Sequence, residues 1–300
     1  MHILSLRDLS ATVAYVAVPC YRYTLVFKGL TSAIEARLAR LVERNPYLWK
    51  ASWELVKKIP FLLPHDKSYN AFHHFIRCIP HGLFLDVGAN DGITALGFRK
   101  LSGEYRILSL EPNPLLKPAL DKVKRRDPLF DYRIIGAGSA PALVQLFMPV
   151  YRGIAMHTYT SGSLEQTTSA LEEICGPRVA AGARIETMPA QIVTVDSLEV
   201  DPSIIKIDVE GFDYEVILGA ARTIDRMRPF IAVEIAWGTS QSIQEFVRKR
   251  NYALCSYDVL HDEFAPSGPL HTGRNSFAIP QEWLPSLPVS RPARAAALPQ

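Results

Sequence analysis

The sequence predicts an α/β fold: a mostly parallel, seven-stranded sheet flanked by helices, behind a helical N-terminal extension. Three observations predict it. From Gly82 onward, short apolar runs alternate with helix-like stretches, the pattern of strand–helix–strand units on a parallel sheet. The first run, Phe84-Leu85-Asp86-Val87, passes into Gly88-Ala89-Asn90-Asp91-Gly92, the layout of a buried strand feeding a tight turn that opens a helix. Finally, the runs end in acids: Asp86, Glu111, Asp208 with Glu210, and Glu234. In an open α/β sheet that carboxyl edge is where ligands bind.

Taken in order, residues 1–80 read as helical. Ser32–Glu43 places Ile34, Leu38, Leu41 and Val42 at helical spacing, and Trp53–Ile59 continues in the same style, with Pro46, Pro60 and Pro64 as punctuation. The predicted strands are Leu83–Val87, Arg106–Leu110, Tyr132–Ile135, Ile204–Ile207, Phe230–Ile235, Tyr252–Ser256 and, as a final edge strand, Asn275–Ile279. Helices are expected over Thr94–Leu101, Pro114–Lys124, Asp213–Asp225 and Ser240–Arg250. Ala140–Gln191 interrupts the alternation and reads as an insertion of short strands and loops, of a kind that often covers an active site. Val193–Val195 suits one more short strand. The expected division is therefore a helical extension over 1–80, a domain over 81–280 with its insertion at about 140–191, and a disordered, proline-rich tail over 281–300.

Composition excludes several classes. Apolar content of 48% and charged content of 21% are ordinary for a globular protein. A net charge of +3 is too small to argue for nucleic acid, although residues 1–80 carry eleven Lys/Arg against five Asp/Glu. That excess reads first as a solvated basic face. Cys20, Cys78, Cys175 and Cys255 lie far apart without a CxxC or Cys/His cluster, as expected of reduced thiols in a cytoplasmic protein. Ala11–Leu30 is apolar but broken by Pro19, Arg22 and Lys28, so no membrane span is expected. A homo-oligomer is compatible with everything in the sequence.

The strand ends carry the chemistry. Glu111 lies 19 residues beyond Gly92, about the spacing at which an acid accepts hydrogen bonds from ribose hydroxyls. Asp86, two residues before Gly88, would repel a pyrophosphate but suit a cofactor bearing an ammonium and a sulfonium. In Ile204-Ile205-Lys206-Ile207-Asp208-Val209-Glu210, strict alternation puts Lys206, Asp208 and Glu210 on one face. A lysine inside a parallel sheet needs a carboxylate partner, with Asp208, Glu210 or Glu234 as candidates. Crowded acids raise one another's pKa, which suits a general base, or else they form an ion network that only orders the sheet. No histidine accompanies them, so no metal is expected. His157 and Tyr159–Ser163 in the insertion, His73-His74, His261 and Trp237 read as solvated or packing residues.

These motifs in this order resemble the FkbM family of S-adenosylmethionine-dependent methyltransferases. The matching pieces are Asp86–Gly92, Glu111-Pro112-Asn113-Pro114, Thr194–Leu198, Ile205–Gly211, and Arg228-Pro229 leading to Val233-Glu234-Ile235. The resemblance covers about Gly82–Ile279. It implies a Rossmann-like methyltransferase sheet and methyl transfer to a hydroxyl of a sugar, glycan or natural product. It further implies cofactor contacts from Asp86, Gly88, Ala89, Asn90, Gly92, Glu111 and Asn113, and catalysis by Asp208, Glu210 and Glu234. One departure is the glycine-rich Ile135–Ser139, where the adenine reader was expected. Two rivals stay open: a nicotinamide-dependent sugar oxidoreductase, which Asp86 opposes, and a catalytically silent binding subunit with the same sheet.

Overall fold

The computed structural model describes residues 45–58, 63–234, 240–266 and 275–290. The expected helix Ser32–Glu43, the Ala11–Leu30 segment, Cys20 and Trp237 lie outside the described residues. The chain divides into two compact units, one of residues 1–66 and 145–188, the other of 67–144 and 189–300.

The larger unit is built on an α/β sheet whose strands are β1 (Leu83–Val87), β2 (Arg106–Leu110), β3 (Phe130–Arg133), β8 (Ile204–Ile207), β9 (Phe230–Glu234), β10 (Tyr252–Asp258), β11 (Glu263–Pro266) and β12 (Asn275–Pro280). Their order is β11-β10-β12-β9-β8-β1-β2-β3. The strands β3, β2, β1, β8 and β9 run parallel, and β12, β10 and β11 add antiparallel pairs at one edge. All seven expected strands are present, and β11 makes the sheet eight-stranded. Only β3 is displaced, starting two residues earlier than expected. The connecting helices include α3 (Ile93–Leu101), α4 (Lys117–Lys124), α7 (Asp213–Gly219), α8 (Ala221–Met227) and α9 (Ser240–Lys249). The one helix expected over Asp213–Asp225 is broken at Ala220. Val193–Val195 is not a separate strand, because β7 (Ala183–Val193) ends there and Thr194 caps a short 3-10 turn by accepting from Ser197 N at 3.2 Å.

Strand alternation gives the sheet two unlike faces. One buries Leu85, Val87, Leu110, Ile205, Ile207, Ile231 and Val233 against Val216, Ile217, Ile224, Ile243 and Val247. The other is aromatic. Phe84 stacks on Phe98 with centroids 4.0 Å apart, and Phe230 stacks on Phe75 at 4.2 Å. Phe75 belongs to α2 (Phe72–Cys78), which with Tyr69 and Ala71 packs into this core. Residues 67–80 thus pack with the sheet's aromatic face. Residues 281–290 are likewise folded: Gln281–Ser286 form a 3-10 helix, Trp283 and Leu284 pack on the aromatic core, and Phe264 N donates to Pro288 O at 2.7 Å. Pro285 lies inside that 3-10 helix.

The glycines of Ile135–Ser139 have a packing cause. A Cβ on Gly136 or Gly138 would meet Ile192 at 2.6 or 2.9 Å, where β4 (Gly136–Ala137) pairs with the end of β7.

In the smaller unit, Asn45 Oδ1 accepts from the amides of Tyr47 and Leu48 to start α1 (Pro46–Lys58), with Pro46 at its first position. The segment 145–188 is more regular than expected. It contains most of β5 (Ala142–Tyr151), which turns at Arg152-Gly153, both at positive φ, into β6 (Ile154–Ala155). It also holds α5 (Leu164–Ala170) and α6 (Pro177–Gly182), around a core of Met156, Tyr159, Leu171, Cys175 and Val179.

Among the described residues, no helix is long and apolar enough to cross a membrane. Cys175 and Cys255 are buried free thiols, and Cys78 is a partly buried one.

Candidate active site at the strand ends

The aromatic face of the sheet turns polar at its carboxyl edge. Two residues beyond Phe84 comes Asp86, beyond Ile107 come Ser109 and Glu111, beyond Ile204 come Lys206 and Asp208, and beyond Phe230 comes Glu234. Even spacing keeps each pair on one side of the sheet. The ladder continues past the formal strands, because Asp208 N donates to Val87 O at 3.1 Å and Glu111 N to Arg133 O at 3.1 Å.

Lys206 is the buried cation of this cluster, and its register partner on β1 is Asp86. Its Nζ lies 3.3 Å from Asp86 Oδ1 and 3.5 Å from Asp208 Oδ2, and it donates to Gly88 O at 2.7 Å. Of the three partners proposed from sequence, Asp208 is confirmed, and Asp86 is the one that was missed. Ser109 Oγ donates to Asp86 Oδ2 at 3.1 Å. Asp86 is fully buried, and loss of solvent holds its carboxyl above the ordinary range despite Lys206 and Ser109. Its charge is therefore matched inside the protein.

Four of the turn's amides have partners within the fold. Gly88 N and Ala89 N both donate to Leu110 O at 3.0 Å, Asn90 N to Glu111 Oε2 at 2.8 Å, and Gly92 N to Ala89 O at 2.9 Å. These amides are committed within the fold, so the turn is no bare anion cradle. It shows acceptors instead. Gly88 adopts φ +82°, and a Cβ there would lie 1.8 Å from Asp208 O, so only glycine lets the β1 turn abut the β8 loop. Asn90 is left-handed at φ 51°, and its Oδ1 is buried without a hydrogen-bond partner.

Glu111 bridges the turn to the next loop by accepting from Asn90 N and, at 2.9 Å, from Asn113 N. Asn113 Oδ1 in turn caps the following 3-10 turn through Leu115 N at 3.0 Å. Burial pushes Glu111 up to about 7, against the pull of those two amides. Each carboxylate oxygen retains a lone pair for a further donor.

The expected catalytic acids converge. Glu234 is raised to about 11 by desolvation first, then by the Asp208 charge and a hydrogen bond to Asp208. The two carboxyls thus share a proton, with the charge on Asp208 facing Lys206. Glu210 follows at φ 52° and Gly211 at 95°, consecutive left-handed residues that swing Glu210 to the rim. Loss of solvent, then Asp208 and Asp213, push its carboxyl up to about 8. The residue itself is exposed, and Asp208 and Asp213 are the charges that raise it.

Asp213 was not anticipated. It sits in the first turn of α7, accepts from Val209 N at 3.2 Å, and is raised to about 6 by burial and by Asp208. An acid opening a helix just after the strand-end acids was its only sequence signal. His157 and Tyr159–Ser163 belong to the smaller unit.

The model of the methyltransferase FkbM domain matches residues 86–254, more than half of the chain and all of the strand-end acids. The chain belongs to the FkbM methyltransferase family. Membership sets the nicotinamide reading aside. No curated protein sequence matches the chain. Among solved structures, a methyltransferase FkbM from Methylobacillus flagellatus KT is similar at 14% identity and a TM-score of 0.43, over 81% of this chain and 65% of that one. This chain thus spans about two thirds of that protein. A precorrin-6y C5,15-methyltransferase from Geobacter metallireducens GS-15 has 10% identity and a TM-score of 0.35, over 69% and 83% of the two chains. The Methanococcus jannaschii fibrillarin pre-rRNA processing protein has 10% identity and a TM-score of 0.33, over 67% of each.

Proposed function

We propose that this FkbM-family chain transfers a methyl group from S-adenosylmethionine to a hydroxyl oxygen of a sugar, glycan or natural product. The observation that supports this is the turn at Gly88–Gly92, where the amides of Gly88, Ala89, Asn90 and Gly92 are donated internally and the Glu111 carboxylate and buried Asn90 Oδ1 stand as acceptors. Such a turn disfavours a phosphate and favours a cationic, hydroxyl-bearing cofactor.

The residues present fit that cofactor. Glu111 has lone pairs for two ribose hydroxyls, Asn90 Oδ1 is a buried acceptor beside it, and Gly88 and Gly92 give the turn its positive-φ course. Asn113 fixes Glu111 through its amide. Asp86 acts at one remove, as the anion that locks Lys206 and hence Gly88 O. When bound, the cofactor supplies an electrophilic methyl group on a sulfonium.

Glu210 is the base. It lies at the rim, and an upward-shifted carboxylate accepts the hydroxyl proton more readily than an ordinary one. Asp208 and Glu234, joined by their shared proton, orient the acceptor hydroxyl. Alignment of the reacting pair removes most of the entropic barrier.

The test is calorimetric titration with S-adenosylmethionine, followed by mass-shift screening of glycans and natural products with labelled cofactor. Binding by wild type that weakens at least tenfold in Glu111→Ala is expected. Absence of binding, or equal affinity in Glu111→Ala, would sink the cofactor assignment. Binding without methylation of any hydroxyl acceptor would point instead to a silent binding subunit.

A further inference from the structure

Away from the strand-end acids, α2 carries His73 and His74 side by side, and the β10–β11 turn brings Asp262 to them. Neighbouring side chains on a helix point about 100° apart and do not ordinarily meet. Here the two ring centroids are 3.7 Å apart. His73 Nδ1 lies 2.6 Å from Asn70 O, and because a carbonyl only accepts, Nδ1 carries the hydrogen. In the neutral ring the lone pair is then on Nε2, which faces Asp262 Oδ2 at 3.7 Å. His74 Nε2 is 2.9 Å from Asp262 Oδ1.

We propose that His73, His74 and Asp262 bind one divalent transition-metal ion, zinc foremost. Their ligand atoms all lie within 4.8 Å of one another. A tetrahedral zinc with bonds of about 2.0–2.1 Å spaces its ligand atoms roughly 3.3 Å apart, so small side-chain rotations suffice to seat the ion. Two imidazoles and a carboxylate are a donor set that selects such ions over calcium or magnesium.

The supporting shell is also present. The Asn70 carbonyl fixes the His73 tautomer, and the Tyr257 hydroxyl donates to Asp262 Oδ1. Asp262 holds a left-handed φ of 57°, which aims its carboxylate back at the helix. A cavity of about 590 Å³, lined by His74, Asp262, Arg77, Cys78, His261 and Trp283, gives the ion an entry path and leaves a coordination position open. The alternative, a hydrogen-bonded clasp between helix and turn, uses the same contacts without an ion.

The experiment titrates the untagged, metal-stripped full chain with Co²⁺ and then Zn²⁺. One equivalent of Co²⁺ with visible d–d absorption, displaced by Zn²⁺, is expected, together with a higher melting temperature in zinc. His73→Gln and Asp262→Asn alter partly exposed positions and should each weaken binding roughly 100-fold or more. Zinc-edge X-ray absorption on the wild type provides a readout independent of any variant and should show two imidazoles. Absence of binding, unchanged binding in both variants, or a sulfur shell at the zinc edge would overturn the proposal. The site is independent of methyl transfer, so it survives failure of that reading.

Discussion

Replacing Lys206 by methionine tests the electrostatic account of the strand ends most directly. The ammonium is 1% exposed and lies 3.3 Å from an Asp86 carboxylate that is 0% exposed, with Asp208 at 3.5 Å. Methionine fills similar volume, so the packing cost is small. What remains is a stranded buried anion, and removing one partner of a buried pair costs about 3–5 kcal/mol. For a chain of this size that corresponds to a fall in melting temperature on the order of 10 °C. The loss depends on pH, and its sign follows from Asp86. Without Lys206 its folded pKa rises further above the ordinary 3.8, so the folded variant must bind a proton that the unfolded chain releases near neutrality. The gap between wild type and variant is then widest at neutral pH and narrows as pH falls toward 4. Asp86→Asn added to Lys206→Met should restore part of the loss, because it removes the stranded charge. Thermal melts of the three proteins from pH 4.5 to 8 measure all of this. A single variant melting within about 2 °C of wild type, or a gap that does not change with pH, would refute the reasoning.

Glu210→Gln should lower kcat by about 10²–10⁴-fold while leaving cofactor affinity intact, and it should remove the rise of rate with pH expected from a base that Asp208 and Asp213 hold above the ordinary carboxylate range. Glu234 has a folded pKa near 11 against an ordinary 4.5, so wild type loses stability as pH rises between those values, by up to about 1.4 kcal/mol per unit. Glu234→Gln mimics the protonated acid, and its denaturation midpoint should decline less steeply over pH 6–9 than that of wild type. Gly88→Ala puts a Cβ 1.8 Å from Asp208 O at φ +82° and should leave no stably folded protein in a thermal shift assay. Phe75→Ala removes a ring stacked at 4.2 Å on Phe230 and 5.3 Å on Phe264, and chemical denaturation should report a loss of about 3–5 kcal/mol.

Local pattern made most of the sheet legible. Seven strands and the strand-end acids could be read because alternation and Gly-rich turns act over a few residues. What escaped were pairings between distant segments. The Lys206–Asp86 bond depends on the register of β8 against β1, which no window of sequence contains. Residues 67–80 looked like the helical stretch before them because Phe72 and Phe75 show only that a face is apolar, and not that it meets Phe84, Phe230 and Phe264. The strands β5 and β7 escaped because much of their surface is exposed and apolar–polar alternation is weak. His73 and His74 had no nameable partner because Asp262 lies 188 residues beyond His74.

The strand-end acids are best understood as a consequence of the aromatic face on which they stand. Each parallel strand carries its core residue and its polar tip on the same side, so packing Phe84, Ile107, Ile204 and Phe230 together also forces Asp86, Ser109, Lys206 and Glu234 together at the edge. One ammonium cannot neutralise all the carboxyls gathered there. The excess is absorbed in two ways: Lys206 takes Asp86 and Asp208, while Glu234 holds a proton shared with Asp208. Glu210 and Glu111, lifted to about 8 and about 7, remain near the point of ionising at neutral pH. A cation entering beside them would favour their charged forms, lowering both pKa values and drawing protons off the site. Cofactor binding should therefore release protons at pH 7, so the enthalpy of S-adenosylmethionine binding should vary with the ionisation enthalpy of the buffer. An enthalpy equal in phosphate and Tris would mean that the ligand does not sense these acids, and the electrostatic reason for assigning a cationic cofactor to the turn would be lost.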